Sequence, residues 1–450
     1  MNQSLALKNT GRQAASDATA HPQATARPSS GSLLRSRNLR LRLIGGTVSL
    51  LGDQFYMIAL PWLVLQLTGN AFAVGSVLAL AGIPRALFML LGGALTDRLS
   101  PRTVMFYSNV FRAAIVGLMA GLVLTGSAQL WMLYAMALVF GLVDAFFYPA
   151  MQAIMPQIVA KEQLQAGNAL MQGSLQVATF LGPMLAGAMI AVLDGGHDSG
   201  TPDRLGIGIA FAVDAVGFLF SAATLWMMRI ESAGAAAGEA MGNVVAAIRE
   251  GLAYVWHDTA LCVFFLMVSG INLLFVGPFF VGVPVLADAR FPEGAAAFGL
   301  VMSAWGGGSL LGIVLAGVLP KPKERLMATL MLGLTGAMGL GLAGLGLVQA
   351  TYLAALVTVA MGGASGYVSI TFVTWLQAHT PAALQGRVMS LLMFASVGLL
   401  PVSMAAAGAL IDLHATLLFV GAGTLLALGA ALAAFNPTVR SMGKLMAEQS

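Results

Sequence analysis

Charge is what this sequence has least of: Asp, Glu, Lys and Arg make up 9% of its 450 residues, against about 25% in an ordinary soluble domain. A soluble chain of this length needs a wet, charged surface, so most of the surroundings here must be lipid. Cysteine is nearly absent as well. Cys262 stands alone in an apolar run, which excludes an intrachain disulfide and suits a small buried residue better than a reactive thiol. No His/Cys group has metal-ligand spacing, no glycine-rich loop suits a nucleotide, and no nucleophile stands with a base. These absences argue against a metal or nucleotide cofactor, an ATP-driven cycle and an enzyme. The net charge of +4 could suggest nucleic acid, but the basic residues sit in short clusters between apolar runs. That is the pattern of membrane topology, so no nucleic-acid partner is expected. Residues 1–38 are polar and lack the apolar core of a signal peptide, and are read as a disordered cytoplasmic tail.

What is there is hydrophobic: 58% of the chain. A membrane helix needs ~20 mostly apolar residues. Runs of that length lie near 41–67, 73–95, 103–126, 129–150, 168–193 and 206–228, then near 259–283, 294–319, 326–348, 351–377, 387–411 and 414–436. Between the two sets is a polar linker, 230–258, whose Val244–Trp256 stretch suits an amphipathic surface helix. The prediction is an all-α membrane protein: twelve transmembrane helices in two six-helix bundles, 39–229 and 259–437, around a central cavity. Residues 438–450 form a second cytoplasmic tail, and the chain is expected to be a monomer.

Lysine and arginine set the orientation. With both termini inside, 18 of the 22 basic residues fall in cytoplasmic segments; Arg204 and Arg290 fall outside, and Arg85 and Arg112 within spans. The positive-inside bias therefore places both termini and the linker in the cytoplasm of a bacterial plasma (inner) membrane.

Between spans two and three the chain reads Gly93-Ala94-Leu95-Thr96-Asp97-Arg98-Leu99-Ser100-Pro101-Arg102. This resembles the G-x-x-x-D-R-x-G-R-R loop signature of the major facilitator superfamily. Gly93, Asp97, Arg98 and Arg102 match it, while Ser100 and Pro101 depart from the usual glycine and basic residue. In span five, Gly182-Pro183-Met184-Leu185-Ala186-Gly187 is similar to the superfamily's antiporter signature, with Ala186 for one glycine. Small residues on one face let helices approach, and Pro183 is expected to bend the span. Leu51-Gly52-Asp53-Gln54, Arg249-Glu250-Gly251-Leu252-Ala253-Tyr254-Val255 and Thr380–Ser390 resemble the drug- and siderophore-exporting branch, which includes macrolide efflux proteins and the enterobactin exporter. The resemblance implies proton-coupled export by alternating access, with the proton gradient in place of a cofactor. It implies no particular substrate. A lipid flippase or a solute importer on the same fold is the second reading.

Charged side chains at a helix centre cost ~2.5–3.5 kcal/mol each, so those that occur there normally face a bundle interior. Asp53, Arg85, Arg112, Asp144 and Asp214 stand in that position. At 1.5 Å per helical residue, Asp53 and Arg85 lie roughly 18 Å from the cytoplasmic ends and Arg112 and Asp144 roughly 10–15 Å. Depth alone thus predicts the pairs Asp53–Arg85 and Arg112–Asp144. All five are candidates for proton or substrate coupling: Asp53 is the expected proton carrier, Arg112–Asp144 the more structural pair, and Asp214 is expected in an outer water-filled vestibule. Asp97 is expected to lock the cytoplasmic side by accepting hydrogen bonds from a neighbouring helix N-terminus, with Arg98 and Arg102 meeting acids or lipid phosphates. Phe55, Tyr56, Gln176 and Asn272 are the cavity candidates for a small-molecule substrate, and 26 methionines add adaptable surface.

Overall fold

A computed structural model describes residues 36–193, 204–229, 253, 255–257, 259–320, 324–380 and 382–435. The expected tails and the 230–258 linker lie almost wholly outside these residues, as do the side chains of 89–98. Eleven helical stretches are long and apolar enough to cross a membrane. The last of them, Ala395–Phe435, has 41 residues, roughly 60 Å of helix and twice a bilayer core. His414 divides it, with extended backbone (φ −160°, ψ 96°) between two helical runs. Twelve crossings result, one for each predicted span.

The first bundle holds α1 (Arg37–Thr68), α2 (Ala71–Arg98), α3 (Pro101–Leu124), α4 (Leu130–Ala153), α5 (Leu164–Leu193) and α6 (Arg204–Met227). In the second, α7 runs Thr259–Ile271 and Gly277–Arg290 with a π turn at Asn272–Val276 between them. It is followed by α8 (Ala295–Val318), α9 (Glu324–Leu345) and α10 (Thr351–His379). Helix α11 comprises Ala382–Gly398 and 400–413, and α12 is 415–435. Twelve crossings return the chain to the end at which it starts. That end, bearing Ser36, Ser100 and Phe435, is called the near end; the opposite one, bearing Gly69, Phe291 and His414, the far end.

Local chemistry sets several boundaries. Gly69 ends α1 in the left-handed region (φ 61°), and its N–H donates to the Leu65 carbonyl at 2.7 Å. The stretch read as a loop after span two is mostly helix, since α2 continues through Arg98. Ser100 and Pro101, the departures from the family pattern, start α3: the Ser100 hydroxyl accepts the Thr103 N–H at 3.2 Å and Pro101 occupies the first helical turn. There a missing N–H costs nothing.

Within the bundles α1 packs on α5 and α6, α2 on α4, α3 on α6, α8 on α10 and α9 on α12. Two seams join the bundles, α5 to α8 and α2 to α11. Both depend on bare backbone. A β-carbon on Gly187 would sit 2.9 Å from the Gly299 Cα, and one on Gly408 would sit 3.0 Å from the Phe72 Cα. Pro183 cannot donate to the Thr179 carbonyl, and that carbonyl abuts Gly306 of α8 instead. The Met184 N–H donates to the Ser303 hydroxyl at 2.8 Å. On the other seam the Asp412 carboxylate of α11 accepts the N–H groups of Ala71 and Phe72 at 2.8 and 3.0 Å, capping α2 from across the interface. Gln66 donates to Asp288 at 3.3 Å, and Trp62 stacks on Phe298 with ring centroids 6.4 Å apart.

These contacts lie from the far end to mid-depth, and the apolar cores are distributed the same way. One core is shared by both bundles and includes Trp62, Phe211, Phe279 and Phe298. Toward the near end there are two separate cores, one from the first bundle around Leu39, Met105 and Leu225, and one from the second around Phe264, Leu332 and Trp375. Among the described residues, the buried apolar cores at the near end thus stay within their own bundles. Gly408→Val would place a branched side chain against Phe72 and Gly75 and hold the far end apart. Spin labels at Ser127 and Gln349, exposed on the two far-end rims, should show a longer separation in this variant. An unchanged distance distribution would mean that this seam does not control closure.

Candidate functional site

The intramembrane charges converge inside the first bundle. Asp144 of α4 is held by both arginines: one carboxylate oxygen accepts from Arg112 of α3, the other from Arg85 of α2. Depth alone paired Arg85 with Asp53, and the structure corrects this. Helix α2 lies directly on α4, because Gly141 brings α4 against the Ala81 backbone, whereas α1 has only slight contact with α2. Depth reports position along the membrane and says nothing about which helices are neighbours. The Arg112–Asp144 pair is present as expected.

Aromatic faces complete the setting. The Arg112 guanidinium lies 4.1 Å from the Phe147 ring centroid, 5.2 Å from Phe140 and 5.5 Å from Phe218, while Arg85 lies 5.4 Å from Tyr148. Such faces attract a cation without adding a charge. The sequence reading missed Phe140 and Phe218; they stand four residues from Asp144 on α4 and Asp214 on α6, one helical turn away on the same face.

Asp53 is half-buried on α1 and has no ion pair among the described residues. It lies within electrostatic reach of Arg112 and Arg85. Asp214 was expected in a wet outer vestibule, and is instead fully buried, at 0% exposure. Its carboxyl packs on Gly52: a β-carbon there would come within 2.7 Å of Asp214 Oδ1. Neither of its oxygens meets a hydrogen-bond donor among the described residues. The burial follows from the close approach of α1 and α6, in which Gly217 faces the Val48 carbonyl and Gly52.

The cavity candidates divide. Tyr56, one turn from Asp53, turns into the first bundle, where its ring stacks on Phe140 at 4.7 Å and meets Phe211 edge-on at 6.1 Å. Its hydroxyl is buried beside the charge cluster without a hydrogen-bond partner among the described residues. Phe55 is partly buried against the shared core, and Gln176 is half-buried on α5. Asn272 begins the π turn and donates to the Val268 carbonyl of its own helix at 2.9 Å. Ser403, missed in the sequence, secures that turn from α11: its hydroxyl donates to the Leu273 carbonyl and accepts the Gly277 N–H, at 2.8 and 2.9 Å.

Of the glycine-proline motif, Gly182 receives the Gln54 side chain of α1, where a β-carbon would stand 2.5 Å from the Gln54 Cβ. Gly187 faces α8, so the motif joins α5 to its own bundle and to the other one. Arg102 donates to the Leu225 and Trp226 carbonyls at 2.7 and 2.6 Å and caps α6. A cation there suits the negative end of that helix. The expectations for Asp97 and Arg98 concern side chains outside the described set.

Twelve apolar helices in two bundles, with charges buried inside one of them, have the architecture of a membrane transporter. The Major Facilitator Superfamily model matches residues 42–400, and the chain belongs to that superfamily. It is 27% identical over 404 residues to the multidrug efflux pump Tap of Mycolicibacterium fortuitum, an alignment covering 87% of this chain and 93% of that one. Macrolide efflux protein A of Streptococcus pyogenes is 22% identical over 284 residues, 63% of this chain and 67% of the relative. The crystal structure of the nucleoside transporter NupG superposes with a TM-score of 0.64 at 14% identity, over 90% of this chain and 99% of that one. That last likeness concerns the fold alone.

Proposed function

We propose that this transporter exports amphiphilic small molecules, drug-like or siderophore-like, from the cytoplasm by alternating access in exchange for protons. The observation that carries the coupling is Asp53: half-buried and unbridged, beside an Asp144 that two arginines hold. Asp144 serves as a fixed anion and Asp53 as the acid free to change state. A carboxyl group that moves between wet and dry surroundings, or gains and loses arginine contact, takes up and releases a proton. The multidrug and macrolide efflux activities of the two relatives support export and a drug-like substrate.

In this reading the near end faces the cytoplasm of the bacterial inner membrane, as the positive-inside bias expects. Substrate enters the near-end cleft against Phe55, Gln176 and the π turn at Asn272. Proton exchange at Asp53 then shifts the balance toward the state open at the far end. Asp412 of α11, capping α2, locks one side, and Asp97 is assigned the corresponding role at the other. Proteoliposomes with an imposed pH gradient, offered a macrolide and other amphiphiles, test the exchange; movement of none of them with the gradient would overturn it. Orientation has its own test. In a Cys262→Ser background, single cysteines at Ser199 and Ser232 should react from opposite faces of the membrane, and labelling of both from one face would refute the topology.

A further inference from the structure

The charge cluster inside the first bundle contains more acid than its two arginines can balance. Arg85, Arg112 and Asp144 together carry one surplus positive charge, which an ionised Asp53 cancels. Asp214 is then the third carboxyl against two guanidiniums, and it is the one with no exposure and, among the described residues, no hydrogen bond to either oxygen. An ionised carboxyl shut away from water without a counter-ion or donor is too costly to persist, and such a group holds a proton instead.

We infer that Asp214 is a second proton site, so that Asp53 and Asp214 form a two-acid set containing one resident proton. The inference deepens the reading of Asp53 given above. Geometry links the two acids: Asp214 lies against Gly52, the residue before Asp53, and Tyr56 stands one turn further along α1. The groups that interact electrostatically with Asp214 are Asp53 and Tyr56 of α1 and Arg112 of α3. Tyr56 interacts with Asp214 and Asp53 in turn. Helix α5, the remaining neighbour of α6, has no charged or titratable residue along its length. The bare α-carbon of Gly52 leaves room for the carboxyl but supplies no donor. With the proton on Asp214 the cluster is neutral. Arrival of a second proton at Asp53 makes it positive, and that change is the one the transport cycle would use.

The test is infrared spectroscopy of the purified full chain at neutral pH, in a maltoside detergent that has no carbonyl of its own. The wild type should show the carbonyl stretch of a carboxylic acid, identified by its downshift in deuterated buffer. Asp214→Asn should lose that band and Asp53→Asn should keep it. Asp214→Thr, a second neutral replacement, serves if the amide variant folds poorly. Absence of the band from the wild type, its persistence in the Asp214 variants, or its loss from Asp53→Asn would each overturn the assignment. Because the readout involves no substrate, its failure leaves the proposed export standing with Asp53 alone, and failure of coupled export leaves the band to be explained.

Discussion

Asp53→Asn is expected to abolish substrate movement driven by a pH gradient while leaving downhill exchange of the same substrate intact. The amide copies the shape and hydrogen bonding of a protonated carboxyl but cannot titrate. Gradient-driven flux in proteoliposomes should therefore fall to the level measured without a gradient. The yield of folded protein should stay near wild type, because among the described residues Asp53 makes no ion pair whose loss would strand a partner. If instead the variant folds poorly and its folded fraction still couples to the gradient, Asp53 is structural. The coupling acid would then have to be Asp214 or Asp144.

Asp144→Ala should act in the opposite way, on folding first. It removes the one carboxylate that bridges two guanidiniums, of which Arg112 is 3% exposed. Breaking a buried ion pair from one side typically costs about 3–5 kcal/mol, a large part of the stability of most domains. Most of the folded protein should be lost, as read by size-exclusion chromatography after solubilisation. Replacing all three members with apolar residues, Asp144→Leu with Arg85→Met and Arg112→Met, should recover a substantial part of it, since no charge is then stranded. Wild-type yield for the single substitution would show that water reaches the site and that the bridges contribute little.

The fold was legible in the sequence because lipid imposes a simple rule: each crossing must be a long apolar helix. The twelve runs met that rule, and only their ends moved, as at α2, which continues to Arg98. The charge cluster was legible as a list of residues for the same reason, since intramembrane charge is costly. Its wiring was not. Which helix faces which is decided by small residues such as Gly141, Gly52 and Gly217, whose meaning depends on a neighbour far away in the chain. Asp412 escaped notice because an acid at the end of a span reads as an ordinary solvated residue. Only the structure places it over the first N–H groups of α2.

The far-end seams also bear on leakage. Contacts between bare backbones have no side chains to re-rotamer, so they cannot loosen by degrees as a Leu- or Met-lined interface can. Each seam is either shut or parted. Net contributions of about 1 kcal/mol per hydrogen bond from the Asp412, Ser303 and Gln66 contacts would add a few kcal/mol in favour of the shut form. Reversing a 99:1 preference requires a ligand that discriminates between the states by about 5.5 kcal/mol. An amphiphile held loosely by an apolar cleft falls short of that alone, and so does a proton at a single acid. Together they can reach it. In the proposed exchange, a preference of this size would keep an idle transporter from discharging the membrane, and would make the cell's expenditure of protons track the arrival of cargo.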